Sequence, residues 1–180
     1  MKTLIINGSA NKNGECRKLI EMFNRGINAE VLDLRSLNIA PCSDCGGCRN
    51  GGQCVINDDM GKIYPLVEEA DLLVFASPLY FSSLTGLTLN FLSRFQKYYL
   101  GKNKALKPKK ALLLMTGGGS TKTKNPAPYP LQLALRYINC ELTEVISYID
   151  CDEKSVVFSE DTKEKLREFK KNYFNNITFL

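Results

Sequence analysis

"DLLVFASP", residues 71–78, is an unbroken apolar run that stops at a proline. Residues on both alternations are apolar, so a strand built from it needs both faces covered, as in a parallel sheet under helices. Reading outward, "TLIIN" (3–7) is a second such run, ending in Gly8-Ser9, and "KKALLLMTGGG" (109–119) is a third, ending in glycines. "AEVLDL" (29–34) and "CELTEVISYID" (140–150) complete five strand candidates. Segments with helical spacing separate them. "CRKLIEMFNRG" (16–26) carries the stripe Leu19, Ile20, Met22 and Phe23, closed by Gly26. Asp58-Asp59 open "DMGKIYPLVEEA" (59–70), acids that suit the positive end of a helix, with Pro65 set against its continuity. "SLTGLTLNFLSRFQKYY" (83–99), "LQLALRYIN" (131–139) and "EDTKEKLREFKKNYF" (160–174) supply the rest.

Strands alternating with helices predict an α/β fold. The expected architecture is a flavodoxin-like, doubly wound, five-stranded parallel sheet of order 2-1-3-4-5 with helices on both faces. All 180 residues are expected in one domain, with a cysteine-rich insertion at about 40–57. Hydrophobic residues make up 44% and charged residues 24%, an ordinary globular balance. No apolar run reaches the roughly 18 residues that span a bilayer, and the first, Leu4–Ile6, is too short for an export signal. A cytoplasmic location is therefore expected. Much of the net charge of +5 comes from Lys102, Lys104, Lys107, Lys109 and Lys110. That run reads as a solvated loop or as a landing site for an anionic partner. It lacks the interleaved aromatics of a nucleic-acid platform, so no nucleic-acid partner is expected.

In such a sheet, ligands sit beyond the carboxyl ends of the strands at the switch in strand order. Three loops meet there: "GSANKNGEC" (8–16), "SPLYFSSLTG" (77–86) and "TGGGSTK" (116–122). A phosphate suits the start of the first helix, where N–H groups and dipole both favour an anion. Pro78, Leu79, Tyr80 and Phe81 offer an apolar wall for a flavin ring, and Gly117, Gly118 and Gly119 permit close main-chain approach. "NGSANKNG", "CSDCGGCRNGGQCVINDDM", "ASPLYFSSLTGLTLNFLSR" and "LLLMTGGGS" resemble the flavodoxin-like NADPH-dependent FMN reductase family, in particular its iron–sulfur flavoprotein branch.

The resemblance implies bound FMN, reduction by NAD(P)H, and homodimers or homotetramers that complete the flavin site across an interface. Carried over by position, it puts Ser9, Asn11, Gly14, Glu15 and Cys16 on the phosphate loop. Pro78, Leu79, Tyr80, Phe81 and Ser82 fall on the ring side, and Thr116, Gly117, Gly118 and Gly119 across from it. This chain departs from the family's usual arginine at Asn11 and its Asn-Thr pair at Glu15-Cys16. A carboxylate about 6 Å from a phosphate dianion repels it by on the order of 5 kcal/mol at an effective dielectric near 20. Two readings of Glu15 follow: a repulsive neighbour that weakens FMN binding, with Lys12 offsetting part of it, or a helix-capping residue with no ligand role.

Cys42, Cys45, Cys48 and Cys54 stand in the spacing C-x2-C-x2-C-x5-C among glycines. The opening of three cysteines is that of ferredoxin-type clusters, with Cys54 available as a fourth ligand. The set reads as a [4Fe–4S] centre, as four thiolates on zinc, or as free thiols that pair in air. Cys16 is either a small buried filler or a thiol made reactive by a helix start; Cys140 and Cys151 read as packing residues. The chain has no histidine, and no catalytic acid or base is nominated. The leading reading is an FMN-dependent oxidoreductase fed by a nicotinamide. The alternatives are an electron carrier that docks a ferredoxin-like partner, and a metal-binding protein with lost or weak FMN binding.

Overall fold

The computed structural model describes residues 1–51, 53–101, 106–118 and 127–174. Gly119, Lys102, Lys104 and the terminal "ITFL" lie outside the described residues. β1 (Thr3–Asn7), β2 (Glu30–Asp33), β3 (Leu72–Tyr80), β5 (Lys109–Thr116) and β6 (Cys140–Tyr148) form a parallel sheet ordered β2-β1-β3-β5-β6. This is the expected 2-1-3-4-5 order once β4 (Ser83–Leu84) is set aside, since it pairs antiparallel with the end of β3 alone.

The apolar runs sort by parity, because successive side chains on a strand point to opposite faces. Leu4, Ile6, Leu73, Phe75, Ala111 and Leu113 pack under α2 (Met60–Glu69), α3 (Gly86–Ser93) and α5 (Pro128–Arg136). Ile5, Leu72, Val74, Leu112 and Leu114 pack under α1 (Glu15–Asn24) and α6 (Glu160–Tyr173). Each of these Leu, Ile, Val and Phe side chains, fully buried, contributes roughly 1.5–3 kcal/mol. The capping of α6 is local: the Ser159 hydroxyl accepts the Thr162 N–H at 3.2 Å. Ser159→Ala is expected to lower stability by about 1 kcal/mol, seen as a lower urea midpoint with an unchanged slope.

Two elements differ from expectation. Residues 83–99 are not one helix but β4, α3 and α4 (Gln96–Gly101). Phe81 and Ser82 both have positive φ, 52° and 59°, the signature of a tight hairpin turn that draws Ser83 and Leu84 back along β3. α3 then closes at Arg94, and the bend lets Phe91 meet Phe95 and Phe95 meet Tyr98 edge-on, with centroids 5.4 and 5.5 Å apart. α2, in contrast, runs on through Pro65. Pro65 is exposed, and a Cβ added at Gly61, one turn earlier, would meet nothing within 4 Å. The carbonyl that loses its partner there therefore faces open space, where water serves it.

Candidate functional site

The carboxyl ends of β1, β3 and β5 are joined by specific contacts. Gly8 N–H donates to the Ala76 carbonyl at 2.8 Å, and the Gly8 carbonyl accepts from Thr85 Oγ1 at 2.7 Å. Thr85 caps α3, so the start of that helix is tied to the end of β1. A Cβ at Gly8 would collide with Thr88 Oγ1 and lie 3.2 Å from Thr85 Oγ1. Pro78 is in register with Thr116, and a Cβ at Gly117 would stand 3.6 Å from Leu79 Cβ. Asn7, Thr85 and Thr88 were missed by sequence reasoning. Their signal, polar residues at the end of an apolar strand and at i, i+3 in a helix start, is too common to single out.

The first loop is built on side-chain-to-backbone bonds. Asn7 Oδ1 accepts the Ser9 N–H at 3.0 Å, and Ser9 Oγ accepts the Asn11 N–H at 3.2 Å. Gly14 is the N-cap of α1 and no side chain caps it; the Arg17 N–H bonds the Gly14 carbonyl at 3.0 Å, and the Glu15 and Cys16 N–H groups before it have no capping side chain. The Glu15 carboxylate is committed elsewhere: it accepts from Lys18 Nζ at 2.6 Å, Ser155 Oγ at 2.8 Å and Val156 N–H at 2.6 Å. Burial alone would raise its pKa, but these three donors together hold it below the usual carboxylate range.

A depressed carboxyl contributes stability that is full above the unfolded-state value near 4.3 and is lost as pH falls through the folded value. Glu15→Gln is expected to cost about 1–2 kcal/mol at pH 7. The gap from wild type should narrow steadily in urea titrations below about pH 4.3. Cys16 is the buried filler. Burial, with the charges of Cys151 and Asp33, pushes its thiol up to about 12, and its Sγ lies 3.8 Å from Asn7 Oδ1.

The ring-side hairpin presents its aromatic residues outward. Phe81 is 105% and Tyr80 53% exposed, while Pro78 and Leu79 are half-buried beneath them. Gly118 makes a close approach: a Cβ there would collide with the Asp152 carboxylate.

The cysteine loop runs from β2 to α2 and is fastened to α3. Asn90 Nδ2 donates to the Ile39 carbonyl at 2.7 Å, Ser93 Oγ accepts the Cys42 N–H at 3.1 Å, and Arg94 Nη1 donates to the Ala40 carbonyl at 2.9 Å. Asp58 and Asp59, expected to serve a helix start, do more. Asp59 accepts the Asn38 N–H at 2.7 Å; Asp58 accepts the Ala40 N–H at 2.9 Å and the Met60 N–H at 3.0 Å, and pairs with Arg94. The Arg94 and Asp58 side chains are only 1% and 3% exposed. Arg94 Nη2 also donates to Cys54 Sγ at 3.2 Å. A lone arginine closing an apolar helix gave a faint sequence signal for this network, with no means of naming its partners.

Cys48 is buried, Cys42 and Cys54 partly so, and Cys45 exposed. Burial pushes the Cys48 thiol up, and Cys54, Cys42 and Cys45 all lie close enough to push it further. Burial would raise Cys54 too, but the Ile56 N–H and the Arg94 guanidinium bring it below an ordinary thiol. Among the described residues, no three Cys, His, Asp or Glu side chains stand in single-ion geometry. Four thiolates on one zinc ion lie about 3.8 Å apart, from the tetrahedral Zn–S length. A four-iron cluster spreads its sulfurs more widely. The all-sulfur donor set, with a buried cation beside one donor, fits such a cluster chemically.

Of the lysine run, Lys107, Lys109 and Lys110 lie at the amino end of β5, opposite the rim. Lys107 bonds Asp71 at 2.5 Å, and Lys109 is buried, donating to the Lys107 carbonyl at 3.2 Å. Lys109 alone of these three differs from the solvated loop expected, since Lys107 and Lys110 are exposed.

The rim of this flavodoxin-like sheet carries the Gly8–Gly14 loop and an apolar hairpin, and α3 leads from it to the fastened cysteine loop. The sequence profile of "NADPH-dependent FMN reductase" matches residues 1–138, and the chain belongs to that family of oxidoreductases. An iron-sulfur flavoprotein of Archaeoglobus fulgidus is 34% identical over 134 residues, covering 72% of this chain and 60% of that protein. One of Methanosarcina thermophila is 33% identical over 123 residues, covering 66% and 64%. The chain thus matches less than two thirds of the length of either relative. The fold is shared with an NAD(P)H:quinone oxidoreductase of Methanothermobacter marburgensis, at TM-score 0.70 and 15% identity over 99% of both chains. Among the described residues, no helix is long and apolar enough to cross a membrane.

Proposed function

We propose that this chain binds FMN at the carboxyl edge of its sheet and oxidises a reduced nicotinamide, passing the electrons to an acceptor. The observation that carries this reading is the meeting of the strand ends at the rim, β1 joined to α3 by the bond from Thr85 to Gly8 and β3 to β5 by the register of Pro78 with Thr116. The uncapped start of α1 and the Ser9–Gly14 loop suit the phosphate, as the anion would satisfy N–H groups that no side chain serves. Glu15 does not stand against this, because Lys18 offsets its charge and Ser155 and Val156 hold its carboxylate. Asn11 and Cys16 form loop structure and packing. Pro78 to Ser82 and Thr116 to Gly118 would flank the ring.

Bound there, FMN supplies two-electron acceptance and one-electron release. Cys42, Cys45, Cys48 and Cys54 would hold a [4Fe–4S] cluster, a reading also supported by the relatives' name, iron-sulfur flavoprotein. α3 would tie the two centres, since it starts at the rim and its last residues fasten the cysteine loop about 12 Å further on. The exposed Phe81 and Tyr80 support a homo-oligomer in which a second copy covers the ring.

The test is anaerobic purification followed by flavin, iron, acid-labile sulfide and zinc assays on one sample. FMN near one per chain, with iron and sulfide near four, is the expected result. A chain that takes up no FMN when it is supplied in excess would overturn the flavin reading; zinc, or bare thiols, would overturn the cluster. Sustained NAD(P)H oxidation by the pure protein separates an enzyme from an electron carrier.

A further inference from the structure

Arg94 is a buried cation with four demands on it. Its guanidinium pairs with Asp58 and donates to the Ala40 carbonyl and to Cys54 Sγ, while its own carbonyl accepts from Tyr64 Oη at 3.2 Å. The side chain is only 1% exposed. Asp58 balances its charge, and the carboxylate is held in turn by the Ala40 and Met60 N–H groups. The remaining edge of the fork, Nη2, goes to a sulfur atom 3.2 Å away. A neutral thiol is a poor acceptor for a guanidinium; a thiolate is a good one. Among the hydrogen bonds of the described residues, Cys54 alone of the four motif cysteines receives one from a charged side chain.

We propose that Arg94 is a positioning residue of the iron–sulfur centre, fixing Cys54 as its fourth ligand and setting the centre's reduction potential. The inference rests on the cluster reading above. A ligand sulfur that accepts a hydrogen bond from a cation holds added negative charge at lower cost, so the reduced state gains more than the oxidised. Reduction here is the gain of one electron by the cluster; no bond to Cys54 forms or breaks. Asp58 acts in the opposite sense, because its carboxylate offsets the positive charge that the added electron meets. The pair therefore sets the potential by the difference of two fixed charges at unequal distances from Cys54 Sγ.

The opposed signs make the test specific. The anaerobically purified holoprotein and its variants are titrated with dithionite against redox dyes, following cluster bleaching and the electron paramagnetic resonance of the reduced form. Iron content is measured on every sample. Arg94→Gln is expected to lower the midpoint potential, Asp58→Asn to raise it, and Arg94→Lys to fall between Arg94→Gln and wild type. A purely structural role would lower iron content in all three and leave the potential of the remaining cluster unmoved; that result overturns the proposal. Should Arg94→Gln fail to hold a cluster, Asp58→Asn decides: a raised potential at wild-type iron content supports the proposal, and an unmoved or lowered one overturns it. Wild-type protein without iron or sulfide would overturn the cluster reading, and this inference with it. Loaded wild type whose variants do not move would overturn the inference alone.

Discussion

Replacing Arg94 with methionine is expected to destabilise the protein by about 3–5 kcal/mol, because it leaves the buried Asp58 carboxylate without its cation. That loss is a large fraction of a typical total of about 5–15 kcal/mol. Desolvation makes removal of one partner far more costly than the net worth of the pair. Methionine fills a similar volume, so cavity formation is not the main term. The Asp58 carboxylate keeps the Ala40 and Met60 N–H groups but must remain ionised without compensation, or take up a proton. Asp58→Asn should destabilise too, since the Ala40 and Met60 N–H groups bond different carboxylate oxygens, of which the amide keeps one, and the Arg94 cation loses its counter-charge. Urea unfolding under reducing, anaerobic conditions checks both variants. A loss under about 1 kcal/mol for Arg94→Met would show that water reaches the carboxylate.

Gly8→Val should have the second large effect, on stability and on flavin binding together. Any Cβ at Gly8 enters the space of Thr88 Oγ1, whose hydroxyl is buried and bonded to Thr85 Oγ1 at 3.0 Å. Overpacking of this kind costs about 1–3 kcal/mol, and the β-branched valine belongs at the upper end. The Thr88 hydroxyl can turn aside only by giving up its bond to Thr85 Oγ1, and the Thr88 Cβ stays at 3.2 Å, so the start of α3 is pushed away from β1 and the loops that would hold FMN part. Flavin affinity is therefore expected to fall at least about tenfold, equivalent to 1.4 kcal/mol. Fluorescence titration of apoprotein with FMN reads this directly. Equal affinity in Gly8→Val and wild type would place the flavin away from the β1–α3 junction. Thr88→Ala in the Gly8→Ala background tests the geometry, because removing Oγ1 opens the space that Cβ needs, and it should restore part of both losses.

The strands were legible in the sequence because a parallel sheet covered on both faces demands continuous apolar runs, and "TLIIN", "DLLVFASP" and "KKALLLMTGGG" supply them. The helices were legible by their stripes, except over 83–99, where one apolar stretch serves a hairpin and two helices in turn. Hydrophobic pattern records burial, and all three elements are buried. What divides them is the backbone at Phe81-Ser82 and at Arg94, which the pattern does not register. Pro65 misled in the other direction, since its cost is reduced where the freed carbonyl meets water.

For the candidate site the division is similar. By itself the sequence determined which segments reach the rim, because strand order follows from alternation and the handedness of crossovers. It also determined that four sulfur donors lie within thirteen residues of each other. Only the tertiary structure decided that Glu15 turns to Ser155 and Val156, 140 and 141 residues away along the chain, and that Arg94 reaches Asp58 and Cys54. The physical reason is that a charged side chain takes its role from whatever partner the fold places within about 3 Å, and residues distant in sequence leave no local trace of that meeting.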